Sequence, residues 1–138
     1  MQRYMVAALI VEGRRLLLVH NTKHGLRIEP PGGKKESGET WEDAEVREVK
    51  EELGVAVLPA AVLGDYATTS PEGDFLVRMF FCDVVGGAPR VIEPTKVSGF
   101  AWYSYGDLER LRADGRLVPN MCAALPELKR RLQGMSLE

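Results

Sequence analysis

GGKKESGETWEDAEVREVKEELGV, residues 32–55, is the stretch whose reading decides what this chain is. Residues 41–53 contain neither Gly nor Pro, Thr40 precedes them as a candidate N-cap, and Gly54 follows them. Asp43, three residues after Thr40, forms a weaker variant of the capping box, and a glycine suits the left-handed residue that closes a helix. The pattern predicts a helix from Thr40 to Leu53. At about 100° per residue, Glu48, Glu51 and Glu52 share one face, while Val46, Val49 and Leu53 fall together on another, expected to face the core. Glu42, Asp43 and Glu45 are expected to be solvated surface. The stretch holds eight carboxylates. Like charges one turn apart cost a few tenths of a kcal/mol per pair when exposed and more when buried, so the cluster calls for a cation. Arg47 and Lys50 could supply it, which is the plain reading of a glutamate-rich helix; a bound metal ion is the other reading.

Working outward, residues 4–12 and 15–20 are rich in Val, Leu and Ile around EGRR, which predicts a hairpin of two largely buried strands. Residues 21–39 are dense in Gly, Pro, Ser and Asn and read as a long loop, a feature that in compact domains is usually functional. Downstream, residues 55–69 and 74–85 flank SPEGD and predict a second hairpin, and GFAWYS at 99–104 reads as a further strand. YGDLERLRADG reads as a short helix and LVPNMCAALPELKRRLQG as a longer one, with Pro126 kinking it or starting a new turn. Strands and helices in this mixed order imply the α/β (α+β) class, a mixed β-sheet between helices.

Composition sets limits on function. A chain of 138 residues is expected to form a single domain, 1–138, with a core that needs no metal or disulfide staple. A net charge of −2 leaves no basic footprint for a nucleic acid polymer. Cys82 and Cys122 stand in apolar surroundings without CxxC spacing, so neither a zinc centre nor a disulfide framework is expected. A reducing, cytoplasmic setting fits. Glu12, Gly13, Arg14 and Arg15 interrupt the apolar start, so no membrane span or signal peptide is expected there.

The spacing inside the opening stretch carries the chemistry. Gly33, five residues, Glu39, seven residues, then Arg47-Glu48-Val49-Lys50-Glu51-Glu52-Leu53-Gly54-Val55 resembles the Nudix box, GX5EX7REUXEEXGU with U aliphatic, at every defined position. Seven fixed identities at ordinary background frequencies would align by chance on the order of once in 10⁸ to 10⁹ starting points. The resemblance implies the Nudix α/β/α sandwich and hydrolysis of a pyrophosphate bond in a nucleoside diphosphate derivative, with Mg²⁺, or Mn²⁺, as cofactor. It implies that Glu48, Glu51 and Glu52 hold the metal together with the carbonyl of Gly32, and that Arg47 and Glu39 fix the glutamates. Gly33, with Gly32, is expected to let the chain turn tightly beside the metal. The base that activates water varies in the family, so Glu48 and Glu93, the latter in the EPxK-type loop VIEPTKVSGFAW, are both candidates. Gly99 stands where relatives often have a second acid.

The resemblance is less specific about substrate. Lys34, with Arg27 in the preceding loop, is a candidate for the phosphates, although His20-Asn21 replaces the arginine frequent after the second strand. Asn120 is similar to the asparagine that reads a purine base in MutT-like members; its other reading is a helix cap or first-turn residue. Pro71, sixteen residues beyond Val55, resembles ADP-ribose pyrophosphatases, whereas Glu72 and Gly73 replace the tyrosine of dinucleoside polyphosphate hydrolases. Ile28 and Pro30 replace the larger side chains usual before the glycines. Tyr4, Phe75, Trp102 and Tyr103 are expected in the core rather than as stacking platforms. The leading expectation is a MutT-like enzyme cutting a nucleoside triphosphate to monophosphate and pyrophosphate, acting on a small-molecule nucleotide, with a homodimer as one expected assembly. An ADP-ribose or nucleoside diphosphate-sugar pyrophosphatase is the alternative within the class. A non-catalytic nucleotide sensor and a structural domain with an acidic helix are the alternatives outside it.

Overall fold

A computed structural model describes residues 1–133. Its elements in chain order are β1 (Tyr4–Leu9), β2 (Val11–Glu12), β3 (Arg15–Asn21), β4 (Arg27–Glu29), β5 (Gly32–Lys34), α1 (Trp41–Leu53), β6 (Ala56–Ser70), β7 (Gly73–Gly86), β8 (Val97–Tyr103), α2 (Tyr105–Ala113) and α3 (Pro119–Gln133). The β layer is split in two. One sheet runs β5-β1-β7-β6, with β1 parallel to β7 and the other neighbours antiparallel; the second pairs β2, β4 and β8 with β3, all antiparallel.

Helices cover both faces, and strand alternation divides the core between them. In β1 and just past it, Val6, Ala8 and Ile10 point to the side of α1, where they meet Val49 and Leu53, while Ala7 and Leu9 point to α2 and α3 and meet Leu108, Met121 and Leu125. A strand buried on both sides reads as an unbroken apolar run rather than an alternating one, and MVAALI does. The sandwich of mixed strands between helices is the class expected from the sequence.

The first hairpin is a correction. Only its tip exists, Val11 opposite Leu16 and Glu12 opposite Arg15, and β1 leaves it for the other sheet, where Tyr4–Leu9 lie beside Leu76–Phe81. Residues 21–39 likewise contain two short strands, β4 and β5, so the segment is pinned at both sheets instead of looping free. The second hairpin forms as expected about the turn at Ser70–Gly73. Pro126 lies inside a continuous α3 that buries Met121, Ala124, Leu125, Leu128 and Leu132.

Helix α1 begins and ends where its caps dictate. The Thr40 hydroxyl accepts from the Asp43 N–H at 3.0 Å, and Gly54, at φ 69°, donates its N–H to the Lys50 carbonyl. Its orientation differs from expectation. The residues turned to the sheet are Ala44, Glu45, Val49, Glu52 and Leu53, whereas Val46 is 38% exposed. The buried arc is centred about 50° from Glu48 toward Glu52, so acids and apolar residues share one face. Glu45, expected on the surface, is fully buried. Tyr4, expected in the core, is 38% exposed and meets Trp41 edge to face with ring centroids 5.2 Å apart.

Candidate active site

The site is assembled where β5 runs beneath α1. Gly32 and Gly33 lie in extended strand, not in the tight turn expected of them, and what requires glycine is contact. A methyl group at Gly33 would overlap the Glu48 carboxylate, and one at Gly32 would overlap the Val6 carbonyl of the neighbouring strand. The Gly32 N–H donates to Glu52 Oε1 at 3.1 Å, tying strand to helix.

Arg47 organises the outer half of the cluster. Its Nε and Nη2 donate to the two oxygens of Glu39 at 2.7 and 2.8 Å, a two-point fork, and its Nη1 donates to Glu48 Oε1 and Glu51 Oε1, each at 2.9 Å. Nη2 also reaches the Lys34 carbonyl at 3.1 Å. The guanidinium, helped by the Glu36 N–H, holds the Glu39 carboxyl down to about 2.

The inner half is electrostatically unlike the outer. Burial pushes Glu52 up to about 8, against the Gly32 N–H, and burial also raises Glu48, opposed by Arg47. One turn earlier Glu45 is pushed up to about 9 by burial, with Glu48 and Glu52 adding to the effect. Neither Glu45 oxygen has a hydrogen-bond partner among the described residues. Negative charge in this half is thus under-compensated.

The donor set suits a hard divalent cation, which prefers carboxylate and carbonyl oxygen. Glu48 keeps Oε2 and Glu52 keeps Oε2 outside the hydrogen bonds of the described residues, and burial raises both carboxyls above the ordinary range, an effect that a bound cation would offset. Among the described residues no three His, Cys, Asp or Glu side chains are gathered tightly enough to hold an ion as they stand, and Glu51 is turned onto Arg47. Glu51 is half exposed and paired with Arg47, so a metal site that includes it requires its side chain to rotate off that contact.

Two hollows adjoin these carboxylates. The larger, about 600 Å³, is lined by residues of both sheets, by Glu48, Glu51 and Glu52, and by Asn120, Phe75 and Thr68. That volume is ordinary for a small-molecule site. Asn120, in the first turn of α3, is 6% exposed, and Phe75, 4% exposed, is both core and cavity wall. The smaller hollow gathers Glu48, Glu51, Glu52, Ile92, Glu93 and Lys96.

Of the candidates from the sequence, Glu48, Glu51, Glu52, Arg47, Glu39, Gly32 and Gly33 form one contiguous group, and Glu93 lies across the smaller hollow from it. Lys34 and Arg27 line the larger cavity but are already engaged. Lys34 Nζ is 2.5 Å from Glu72 Oε1, and Arg27 Nε is 3.6 Å from Glu29 Oε1. His20 turns away, its Nε2 sharing a hydrogen bond with the Tyr103 hydroxyl at 2.7 Å. Among the charged residues that spacing did not single out, Glu29, bonded by Asn21 Nδ2 at 3.1 Å, and Lys96 also line the large cavity. Glu29 immediately precedes the prolines and Lys96 closes EPTK, but neither position by itself points to the cavity.

A helix carries an acid cluster against a glycine strand, in a split-sheet sandwich with a cavity of small-molecule size beside it. The family described as NUDIX domain matches residues 1–121, and the chain belongs to the Nudix family of hydrolases. It is 31% identical over 113 residues to a protein of Methanocaldococcus jannaschii named ADP-ribose pyrophosphatase, covering 79% of this chain and 66% of that one. It is 29% identical over 126 residues to a Bacillus subtilis protein named putative 8-oxo-dGTP diphosphatase, covering 91% and 78%. Among solved structures, a Nudix hydrolase from Nitrosomonas europaea superposes with a TM-score of 0.78 at 27% identity over 94% of this chain and 90% of that one. The MutT Nudix hydrolase from Burkholderia pseudomallei gives 0.72 at 28% identity over 78% and 86%. The chain thus spans just under two thirds of the archaeal relative, and 30% of a Caenorhabditis elegans relative named putative nudix hydrolase 1. Among the described residues no helix is long and apolar enough to cross a membrane.

Proposed function

We propose that this chain is a divalent-metal-dependent pyrophosphohydrolase that cuts a nucleoside triphosphate to monophosphate and pyrophosphate. The observation that carries this reading is a single cavity lined both by the inner carboxylates, Glu48 and Glu52, and by the buried Asn120. In this reading the phosphate chain lies on the acids through a cation and the attached base meets the Asn120 amide, which offers both a donor and an acceptor to a purine edge.

Glu48, Glu51 and Glu52, with the Gly32 carbonyl, would hold Mg²⁺, or Mn²⁺ in its place. Mg²⁺ bound there supplies charge neutralisation at the phosphate oxygens and lowers the pKa of water. Arg47 orients Glu48 and Glu51, and Glu39 orients Arg47, so that the carboxylates are presented by a fixed frame. When the cation rests on Glu51, Glu52 and the Gly32 carbonyl alone, we assign the proton of the attacking water to Glu48 Oε2. It is unbonded while Oε1 is anchored, and burial gives it a proton affinity above that of a solvated carboxylate. Glu93 is the second candidate, because it shares the smaller hollow with the metal-binding acids.

A second reading, ADP-ribose or a related nucleoside diphosphate-sugar, is favoured by the name of the archaeal relative and by Pro71, which lines the large cavity. Turnover of a panel of dNTPs, 8-oxo-dGTP and ADP-ribose with Mg²⁺ decides between the two. Preference for a purine triphosphate that falls on Asn120→Ala supports the first, and preference for ADP-ribose that is unmoved by Asn120→Ala supports the second.

A further inference from the structure

Lys96 lies on the segment between β7 and β8 and lines both hollows. It shares the larger with Glu29, Glu48 and Glu52, and the smaller with Glu51 and Glu93. Its backbone is fixed on both sides. The Lys96 N–H donates to the Glu93 carbonyl at 2.9 Å, and the Lys96 carbonyl accepts from the Thr22 N–H at 2.8 Å, just past the end of β3. The half-buried side chain is therefore carried to the site by a pinned segment.

Arg47 is committed, with all three guanidinium nitrogens bonded. Among the described residues the Lys96 ammonium makes no ion pair within 4.0 Å. Its charge nevertheless acts on Glu29, Glu48 and Glu52 alike, in each case opposing the upward push of burial. An ammonium on a flexible four-carbon stem can change partner by rotating that stem, which a guanidinium held at three points cannot do.

We propose that Lys96 is a phosphate-binding residue of this site. It stands opposite the inner carboxylates when no cation is bound, and turns to the substrate's diphosphate once a divalent cation occupies them. The inference rests on the reading of the chain as a metal-dependent pyrophosphohydrolase. It has a consequence that a merely structural lysine lacks: Lys96 opposes binding of the metal alone and favours binding of phosphate, so its removal moves the two affinities in opposite directions.

The test uses the full chain as wild type, Lys96→Met and Lys96→Arg. Mn²⁺ binding without nucleotide is followed by electron paramagnetic resonance, and inorganic pyrophosphate binding with Mg²⁺ present by calorimetry. Lys96→Met is expected to tighten Mn²⁺ about two- to fivefold, the range of a half-exposed charge interaction. It is expected to weaken pyrophosphate about 10- to 100-fold, the range of a charged hydrogen bond, and Lys96→Arg is expected to recover most of that loss. Pyrophosphate affinity unchanged in Lys96→Met, or both affinities weakened together, overturns the proposal while leaving wild-type turnover intact. A wild-type chain that binds neither Mn²⁺ nor pyrophosphate overturns the functional reading and this inference with it.

Discussion

A carboxyl group packed among apolar side chains with nothing to bond is costly to fold, and Glu45 is such a group, fully buried between α1 and the sheet. Replacing it by Leu, of similar length, is expected to stabilise the metal-free protein by about 1–3 kcal/mol, measured by urea unfolding. Its titration adds a pH dependence. The unfolded chain releases the Glu45 and Glu52 protons near 4.5, whereas the folded chain keeps them until about 9 and about 8. Folding around these groups therefore costs least below about 4.5, and stability is lost as pH rises toward 9. Melting in EDTA should show Tm falling between pH 5 and 9, and falling much less in Glu45→Leu. Glu39 works in the other direction: held down to about 2, its contribution is present above 4.5 and disappears as pH falls toward 2. Because Glu52 must lose its proton to bind a cation, apparent Mn²⁺ affinity should rise with pH up to about 8. A flat profile would remove Glu52 from the metal site.

At the scale of elements, α1 was legible at both ends, since Thr40 and Gly54 act locally and their geometry follows from residue type. Its facing was not. A helical wheel gives angles between residues but not the direction of the sheet, so Glu45 and Val46 exchanged places relative to expectation. The β1 strand was legible as buried, yet its partner was not, because MVAALI is equally apolar whether it pairs with β3 or crosses to β7. The acid cluster and its supports were readable because the box spacing ties together one helix, one strand and Glu39 in the loop between them. Glu29 and Lys96 were not, because chain folding alone brings them to the same hollow. Two changes test how the α1 and β5 frame works. Arg47→Lys keeps the charge but breaks the fork on Glu39, and is expected to lower metal affinity on the order of 10- to 100-fold with little change in the circular dichroism spectrum. Gly33→Ala puts a methyl group against the Glu48 carboxylate and should depress kcat more than KM if Glu48 acts on the water.

Across the whole molecule, the two sheets, the α1 edge and the first turn of α3 converge on one cavity, so substrate choice depends on residues far apart in the chain. Asn120 and Phe75 come from α3 and β7, Glu29 from β4, and Lys96 from the segment before β8. The bond to be broken is indicated by the acid cluster, and the leaving group by the cavity walls. The two candidate bases can be separated by their pH dependence. If Glu48 takes the proton, Glu93→Gln should leave the acidic limb of the kcat profile where it is; a shift or loss of that limb assigns the base to Glu93.

The central claim is that Glu48, Glu51 and Glu52 hold a divalent cation that drives pyrophosphate cleavage. The most direct measurement is turnover of a nucleotide panel with and without Mg²⁺, by wild type and by Glu51→Gln. Metal-dependent release of pyrophosphate or monophosphate, mostly abolished in Glu51→Gln, is the predicted result. Turnover that persists in EDTA, or that is undiminished in Glu51→Gln, would contradict it.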